Sequence, residues 1–168
     1  WLWQTWKYGI EGVLIWQSNY WTSPLVFEPP ALQNPYNDPM SYKRGYGLPR
    51  GYVGFWGNGD GRLIYPPKQV FESDEPNLEG PVNSIRFEML RDGIEDYEYL
   101  WLLRDRIQEL RHADGDVELL AEAEQLLTVP ASITSSLTNF STNAESIYEH
   151  RRKIAEMIVR LNQRIETR

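Results

Sequence analysis

Apolar positions fall into two different rhythms along this chain. Residues 1–23 open with a short amphipathic stretch that predicts a helix over Leu2 to Tyr8, stopped by Gly9. An uninterrupted apolar run follows, Val13-Leu14-Ile15-Trp16, which predicts a strand from Gly12 to Trp16 covered on both faces, as in a parallel sheet. Residues 24–82 show no rhythm and are dense in proline, glycine and aromatics, so they predict a long ordered loop held by aromatic packing instead of regular elements. From Ser84 to Arg111 the helical period returns, with Ile85, Met89, Leu90, Ile94, Tyr97, Leu100, Trp101, Leu103, Ile107 and Leu110 forming a broad apolar face. Two more helices are expected, about Asp116 to Leu127 and Ala144 to Glu166, joined by a Ser/Thr-rich connection. In the second, Thr142 and Glu145 have capping-box spacing, and Ile147, Ile154, Ile158, Leu161 and Ile165 form a buried stripe.

Composition narrows the classes of function. The chain has 168 residues, the size of one ordinary domain, and its hydrophobic content of 41% is enough for a real core. A formal net charge of −7 without a Lys/Arg cluster argues against nucleic acid as a partner. No run approaches the roughly 20 apolar residues needed to span a bilayer, so no membrane partner is expected. With no cysteine, thiolate metal sites and disulfides are excluded, and the compartment stays open.

Candidate chemistry gathers where the predicted strand meets the loop. Trp16, Asn19, Tyr20 and Trp21 combine flat aromatic faces with an amide, the mixture that a sugar ring requires for its apolar C–H faces and its rim of hydroxyls. The loop adds Trp56, Tyr65 and the turn Asn58-Gly59-Asp60-Gly61, whose glycines permit positive φ. Asp60 either bonds a sugar hydroxyl or closes a hairpin between Phe55-Trp56 and Leu63-Ile64-Tyr65. At the start of the long helix, Ser84 and Arg86 either face the site, with Glu88 orienting Arg86, or only lock the helix in place. Arg91 through Asp96 read as a structural charge run with an Arg91–Glu95 surface pair. Asp74-Glu75 mimics an adjacent acidic pair, but no convincing buried strand precedes it, and a solvated loop is expected. The only histidines, His112 and His150, lie in helices, and without cysteine or a Gly-x-Ser-x-Gly elbow no nucleophilic triad is expected. The acidic spacing at Asp60 does not fit a calcium loop, so neither metal nor cofactor is expected.

Four stretches together carry a resemblance: Trp6-Lys7-Tyr8-Gly9, Trp16 to Trp21, Asn58 to Pro66, and Ser84 to Leu100, the last reading SIRFEMLRDGIEDYEYL. They resemble the C-terminal catalytic region of glycoside hydrolase family 123 and its uncharacterised relatives. The resemblance implies the C-terminal part of a (β/α)8 barrel, a fold that typically needs about 250 residues. Strand, aromatic loop and long helix would occupy residues 1–111, with a helical extension at 112–168 packed on them, leaving the isolated chain mainly helical. It implies action on N-acetyl-β-galactosaminide-type glycosides, with retention by substrate assistance: the substrate's acetamido oxygen attacks, an aspartate steadies it, and an adjacent glutamate is the general acid, a known exception to the two-carboxylate pattern. That acidic pair belongs to a strand end well upstream, so no catalytic residue is expected here, and the chain, which opens on Trp1 without methionine, reads as an inactive fragment. Its implied partners are a carbohydrate and the upstream barrel of the same polypeptide, and secretion or a periplasmic location follows from the resemblance alone. The alternative is a non-catalytic carbohydrate-binding or structural module on the same scaffold. An uncovered strand and helix face would expose apolar surface, so self-association or marginal stability is expected of the chain made alone.

Overall fold

The computed structural model describes residues 1–15, 17–21, 34–37, 39, 59, 61–77, 79–113 and 116–167. Among them the elements are α1 (Leu2–Lys7), β1 (Ile64–Tyr65), a 3-10 turn (Lys68–Phe71), β2 (Val82–Asn83), α2 (Ile85–His112), α3 (Val117–Leu126) and α4 (Glu145–Glu166). The protein is mainly helical, and the chain forms two compact units, one of Trp1–Gly12 with Leu90–Arg168 and one of Val13–Met89.

The first unit is a helical assembly. Helix α1 ends as the sequence predicts: Gly9 takes φ 60°, its N–H bonds Trp6 O at 3.2 Å, and the Ile10 N–H bonds Thr5 O at 2.9 Å. These are the two bonds of a Schellman motif, which needs a residue with positive φ at this position. Leu100, Leu103, Ile107 and Leu110 of α2 are buried against Trp3 of α1, Ala123 of α3, and Ile154 and Leu161 of α4. Asp116 caps α3, its Oδ1 accepting the Glu118 and Leu119 N–H groups at 3.1 Å each. The Ser/Thr-rich connection is stitched to α1, since Gln4 Nε2 donates to Ser136 O at 3.0 Å and Lys7 Nζ donates to Thr134 O at 2.6 Å.

Two expectations need correction here. The α4 stripe is buried or half-buried as predicted, but the Thr142–Glu145 capping box is absent: the Glu145 N–H bonds Asn143 Oδ1 at 3.0 Å, and the N-cap residue Ala144 is helical with no side chain to accept. Asn143 outcompetes Thr142 because it stands two residues before Glu145, the reach of an Asx turn. The broad face of α2 divides, with Leu100, Leu103, Ile107 and Leu110 covered while Ile94 and Trp101 are exposed. At 100° per residue Ile94 and Trp101 lie on the side of the helix away from Leu103, so the sequence pattern had merged two faces. Asp96, expected in a structural charge run that is solvated or paired, is paired with Arg151 and is 4% exposed.

In the second unit the expected strand from Gly12 to Trp16 is not seen in its described part. Residues 12–15 carry no strand assignment, and Leu14 is 84% exposed. A strand exists only through ladder bonds to a neighbour, and an apolar run does not supply that neighbour. In the loop, part of the arm Leu63-Ile64-Tyr65 of the suggested hairpin is a strand, while its suggested partner Phe55-Trp56 lies outside the described residues: β1 pairs antiparallel with β2 in the register Ile64↔Asn83 and Tyr65↔Val82. The Ser84 N–H donates to Leu63 O at 3.0 Å, and Ser84 Oγ caps α2 by accepting from the Phe87 N–H at 3.4 Å.

Candidate functional site

Three segments of the second unit lie side by side and carry the candidate residues. Ser18 O accepts from the Leu63 and Ile64 N–H groups at 2.8 and 2.9 Å, Asn19 bridges Arg62 in antiparallel fashion, and the Tyr20 N–H donates to Gly61 O at 2.8 Å. Leu63 O in turn accepts from Ser84 Oγ at 2.7 Å, which joins the start of α2 to the same frame. Segment 18–20 is therefore registered by backbone bonds against 61–64, and 63–65 against 82–84, so candidate side chains distant in sequence share one framework.

The glycines flanking Asp60 do what the sequence suggested, since Gly59 and Gly61 both take φ 76°. A Cβ on Gly61 would stand 3.2 Å from Tyr20 Cβ, and one on Gly59 would overlap the Arg86 guanidinium. Only glycine satisfies both the backbone and the space at Gly59.

Five expected site residues are described. Asn19 is exposed, while Tyr20, Trp21, Tyr65 and Arg86 are half-buried. The Trp21 indole N–H donates to Ile64 O at 2.7 Å, which fixes the ring against β1. Arg86 Nη1 donates to the Tyr65 hydroxyl at 3.1 Å, and Nη2 donates to Pro39 O at 2.9 Å. Trp16, Trp56 and Asp60 lie outside the described residues.

Sequence reasoning passed over Tyr36 as a site residue. Its hydroxyl donates to Pro66 O at 2.9 Å, and its ring meets Tyr65 edge-on at 5.4 Å and 82°. Burial pushes the Tyr36 phenol up, Lys68 opposes that, and Tyr65 and Glu79 add to it. Its place in the aromatic-rich loop was the available signal, but the pairing with Tyr65 depends on tertiary structure. Arg62, only 1% exposed, was also missed because an arginine beside a glycine turn ordinarily reads as solvated.

The cluster offers aromatic surface and hydrogen-bond donors. Glu88 is spent as an acceptor from Asn83 Nδ2 at 2.9 Å, and Asp74 and Glu75 stand in an exposed turn, as expected. Among the described residues no three His, Asp or Glu side chains come together as a metal would require. In the first unit, a groove of about 480 Å³ along α3 and α4 contains Arg160, whose two Nη atoms donate to Glu122 at 2.7 and 2.9 Å. That pairing makes the groove wall an ion-paired surface.

Residues 1–103, which include every candidate site residue and end inside α2, match the family model described as glycoside hydrolase 123, catalytic domain. No curated protein and no solved structure matches the chain.

Proposed function

Since the chain belongs to the glycoside hydrolase 123 family through its catalytic domain, we propose that it forms the C-terminal portion of a (β/α)8 glycosidase domain acting on N-acetyl-β-hexosaminides, N-acetyl-β-galactosaminides foremost. The observation that carries this reading is the registered cluster of Tyr20, Trp21, Tyr65 and Arg86 within the matched residues, where aromatic rings and oriented donors stand together. A sugar ring asks for that pairing of apolar face and polar edge.

The substrate-facing set is Trp16, Asn19, Tyr20, Trp21, Trp56, Asp60 and Tyr65, with Arg86 belonging to the site through its bond to Tyr65. Catalysis is retaining and substrate-assisted: the 2-acetamido oxygen attacks the anomeric carbon, and an aspartate and a glutamate from an upstream strand end steady the acetamido group and protonate the leaving oxygen. Residues 1–111 complete that barrel, and 112–168 pack on it as a helical extension. The exposed run Val13-Leu14 supports the barrel reading, since an apolar strand sequence standing open in this unit is the surface a neighbouring strand of the same polypeptide would cover.

The test is hydrolysis of an aryl N-acetyl-β-galactosaminide by the 168-residue chain beside a version extended upstream to a full barrel. Activity in the extended version alone is expected. An inactive extended version that still binds N-acetylgalactosamine would favour a non-catalytic binding module. Cleavage by the short chain would move catalysis to Asp74 and Glu75 and overturn the assignment.

A further inference from the structure

Arg86 is the second residue of α2, just after the Ser84 cap, and it gathers three segments of the second unit. Nη1 reaches the Tyr65 hydroxyl, Nη2 reaches the Pro39 carbonyl, and the guanidinium plane rests on Gly59 so closely that any Cβ there would overlap it. A guanidinium is a rigid fork whose donors point in fixed directions, so bonding two acceptors in this way fixes both of them.

Tyr65 is the member of this cluster suited to meet a ligand. A phenol has one proton and an oxygen that accepts. Because the Tyr65 oxygen accepts from Arg86, its proton is aimed elsewhere. The rest of the residue is braced: β1–β2 pairing sets the backbone opposite Val82, and the ring packs edge-on to Tyr36, whose own hydroxyl is committed to Pro66 O at 2.9 Å. A donor held in one direction loses little freedom when it binds, and preorganisation of that kind raises affinity without adding a contact.

We propose that Arg86 is a positioning residue of the sugar site, acting through Tyr65: it orients the Tyr65 hydroxyl as a single-direction donor to an oxygen of a neutral N-acetylhexosamine ring. The proposal deepens the reading of this cluster as a sugar site and rests on it. The in-plane N–H groups of Arg86 that meet Tyr65 and Pro39 serve the protein, and the charge is held against backbone at Gly59, so the group is placed to brace. An arginine placed to take a uronate or sulfate would instead present its fork to the ligand's two oxygens. This use of the guanidinium favours an uncharged ligand, and the sugar-site reading on which the proposal rests makes that ligand an N-acetylhexosamine.

The experiment uses the full 168-residue chain with 13C-labelled tyrosine and four variants: Arg86→Met, Arg86→Lys, Tyr65→Phe, and the double variant Arg86→Met with Tyr65→Phe. Without ligand, Arg86→Met is expected to shift or broaden the Tyr65 ring signals and leave those of Tyr8 in place, while Arg86→Lys, which keeps the charge but loses the fork, moves them in the same direction by a smaller amount. Unmoved Tyr65 signals in Arg86→Met overturn the clamp. With N-acetylgalactosamine added, Tyr65→Phe and Arg86→Met should each weaken binding about tenfold, the worth of one good hydrogen bond, and the double variant should lose no more than either. Losses that multiply to about a hundredfold overturn the proposal, because Arg86 would then be touching the sugar independently. If Arg86→Met fails to fold, the lysine and phenylalanine variants decide: the proposal requires weakened binding in both, and near wild-type affinity in either overturns it. A wild-type chain that binds no N-acetylgalactosamine while Arg86→Met still displaces Tyr65 sinks the sugar-site reading and the donor role with it. That pattern is distinct from failure of the clamp.

Discussion

The indole N–H of Trp3 donates to Asp96 Oδ2 at 2.9 Å, joining residues 93 apart in sequence inside the first unit. The other oxygen, Asp96 Oδ1, accepts from Arg151 Nε, so one buried carboxylate ties α1, α2 and α4 together. Asp96→Ala would leave an indole N–H and a partly buried guanidinium without their acceptor, and a loss of about 2–4 kcal/mol is expected, the lower end reflecting the partial solvation of Arg151. Asp96→Asn keeps one carbonyl oxygen and should lose about half as much. Urea unfolding followed by tryptophan fluorescence measures both, and a loss below about 0.5 kcal/mol for the alanine variant would mean the carboxylate is not the tie described here.

His150 makes the stability of the same unit depend on pH. Its Nε2 donates to Leu126 O at 3.1 Å, and its ring lies edge-on to Trp3 at 5.5 Å. Burial holds the imidazole below its ordinary value of 6.5, the Leu126 carbonyl opposes that, Lys153 adds to it, and Glu149 opposes it. The unfolded chain therefore takes up this proton at a higher pH than the folded one. Stability from neutral His150 is complete above about pH 6.5 and is lost as pH falls toward the folded value. Tm should fall between pH 7 and 5, with a shallower slope in His150→Gln, and equal slopes in the two proteins would refute the role of His150.

Two glycines with positive φ make a paired test in which one serves as the control. Gly9 has open space where a Cβ would go, whereas Gly59 has the Arg86 guanidinium there. Gly9→Ala should cost about 1 kcal/mol from backbone strain alone. Gly59→Ala should cost roughly 2–3 kcal/mol and shift the Arg86 Nε–Hε resonance, since strain and displacement add. Equal costs, with the Arg86 resonance unmoved, would contradict the packing described at Gly59.

Helices α3 and α4 lie beyond the residues that match the family, yet Ala123, Ile154 and Leu161 share a core with Trp3, Leu100 and Leu103. A chain ended after His112 should lose cooperative unfolding and near-ultraviolet circular dichroism while retaining some helix, because half of that core's wall is gone. A sharp unfolding transition in the shortened chain would show that residues 1–112 carry a core of their own.

Local signals were legible in the sequence, and partnered ones were not. Gly9 and the Ile154–Ile158–Leu161 stripe could be read because a helix stop and a helical face are settled within a few residues. Val13 to Ile15 misled because an apolar run states the propensity to be a strand, whereas a strand needs a second chain segment. Asp96 sits in the charged string RDGIED, and only Trp3 and Arg151, far away in sequence, distinguish it from its exposed neighbours. At the candidate site, Tyr65 and Arg86 stood out by residue type and position. Their bond, the close approach to Gly59 and the bracing by Tyr36 all required Tyr36, Pro39, Gly59 and Tyr65 to come together with the start of α2.

The stitching of α1 to the distant connection also sets an order of events during synthesis. Trp6 Nε1 donates to Leu127 O across 121 residues, and Gln4 reaches Thr134 across 130. At a ribosomal pace of about 5–20 residues per second, α1 waits roughly 6–25 s for these partners to be made. A six-residue helix is too short to hold itself in water over that time. Trp6 thus leaves the ribosome well before the carbonyl that holds its indole has been made, and α1 gains its lasting support only after the connection beyond α3 is complete.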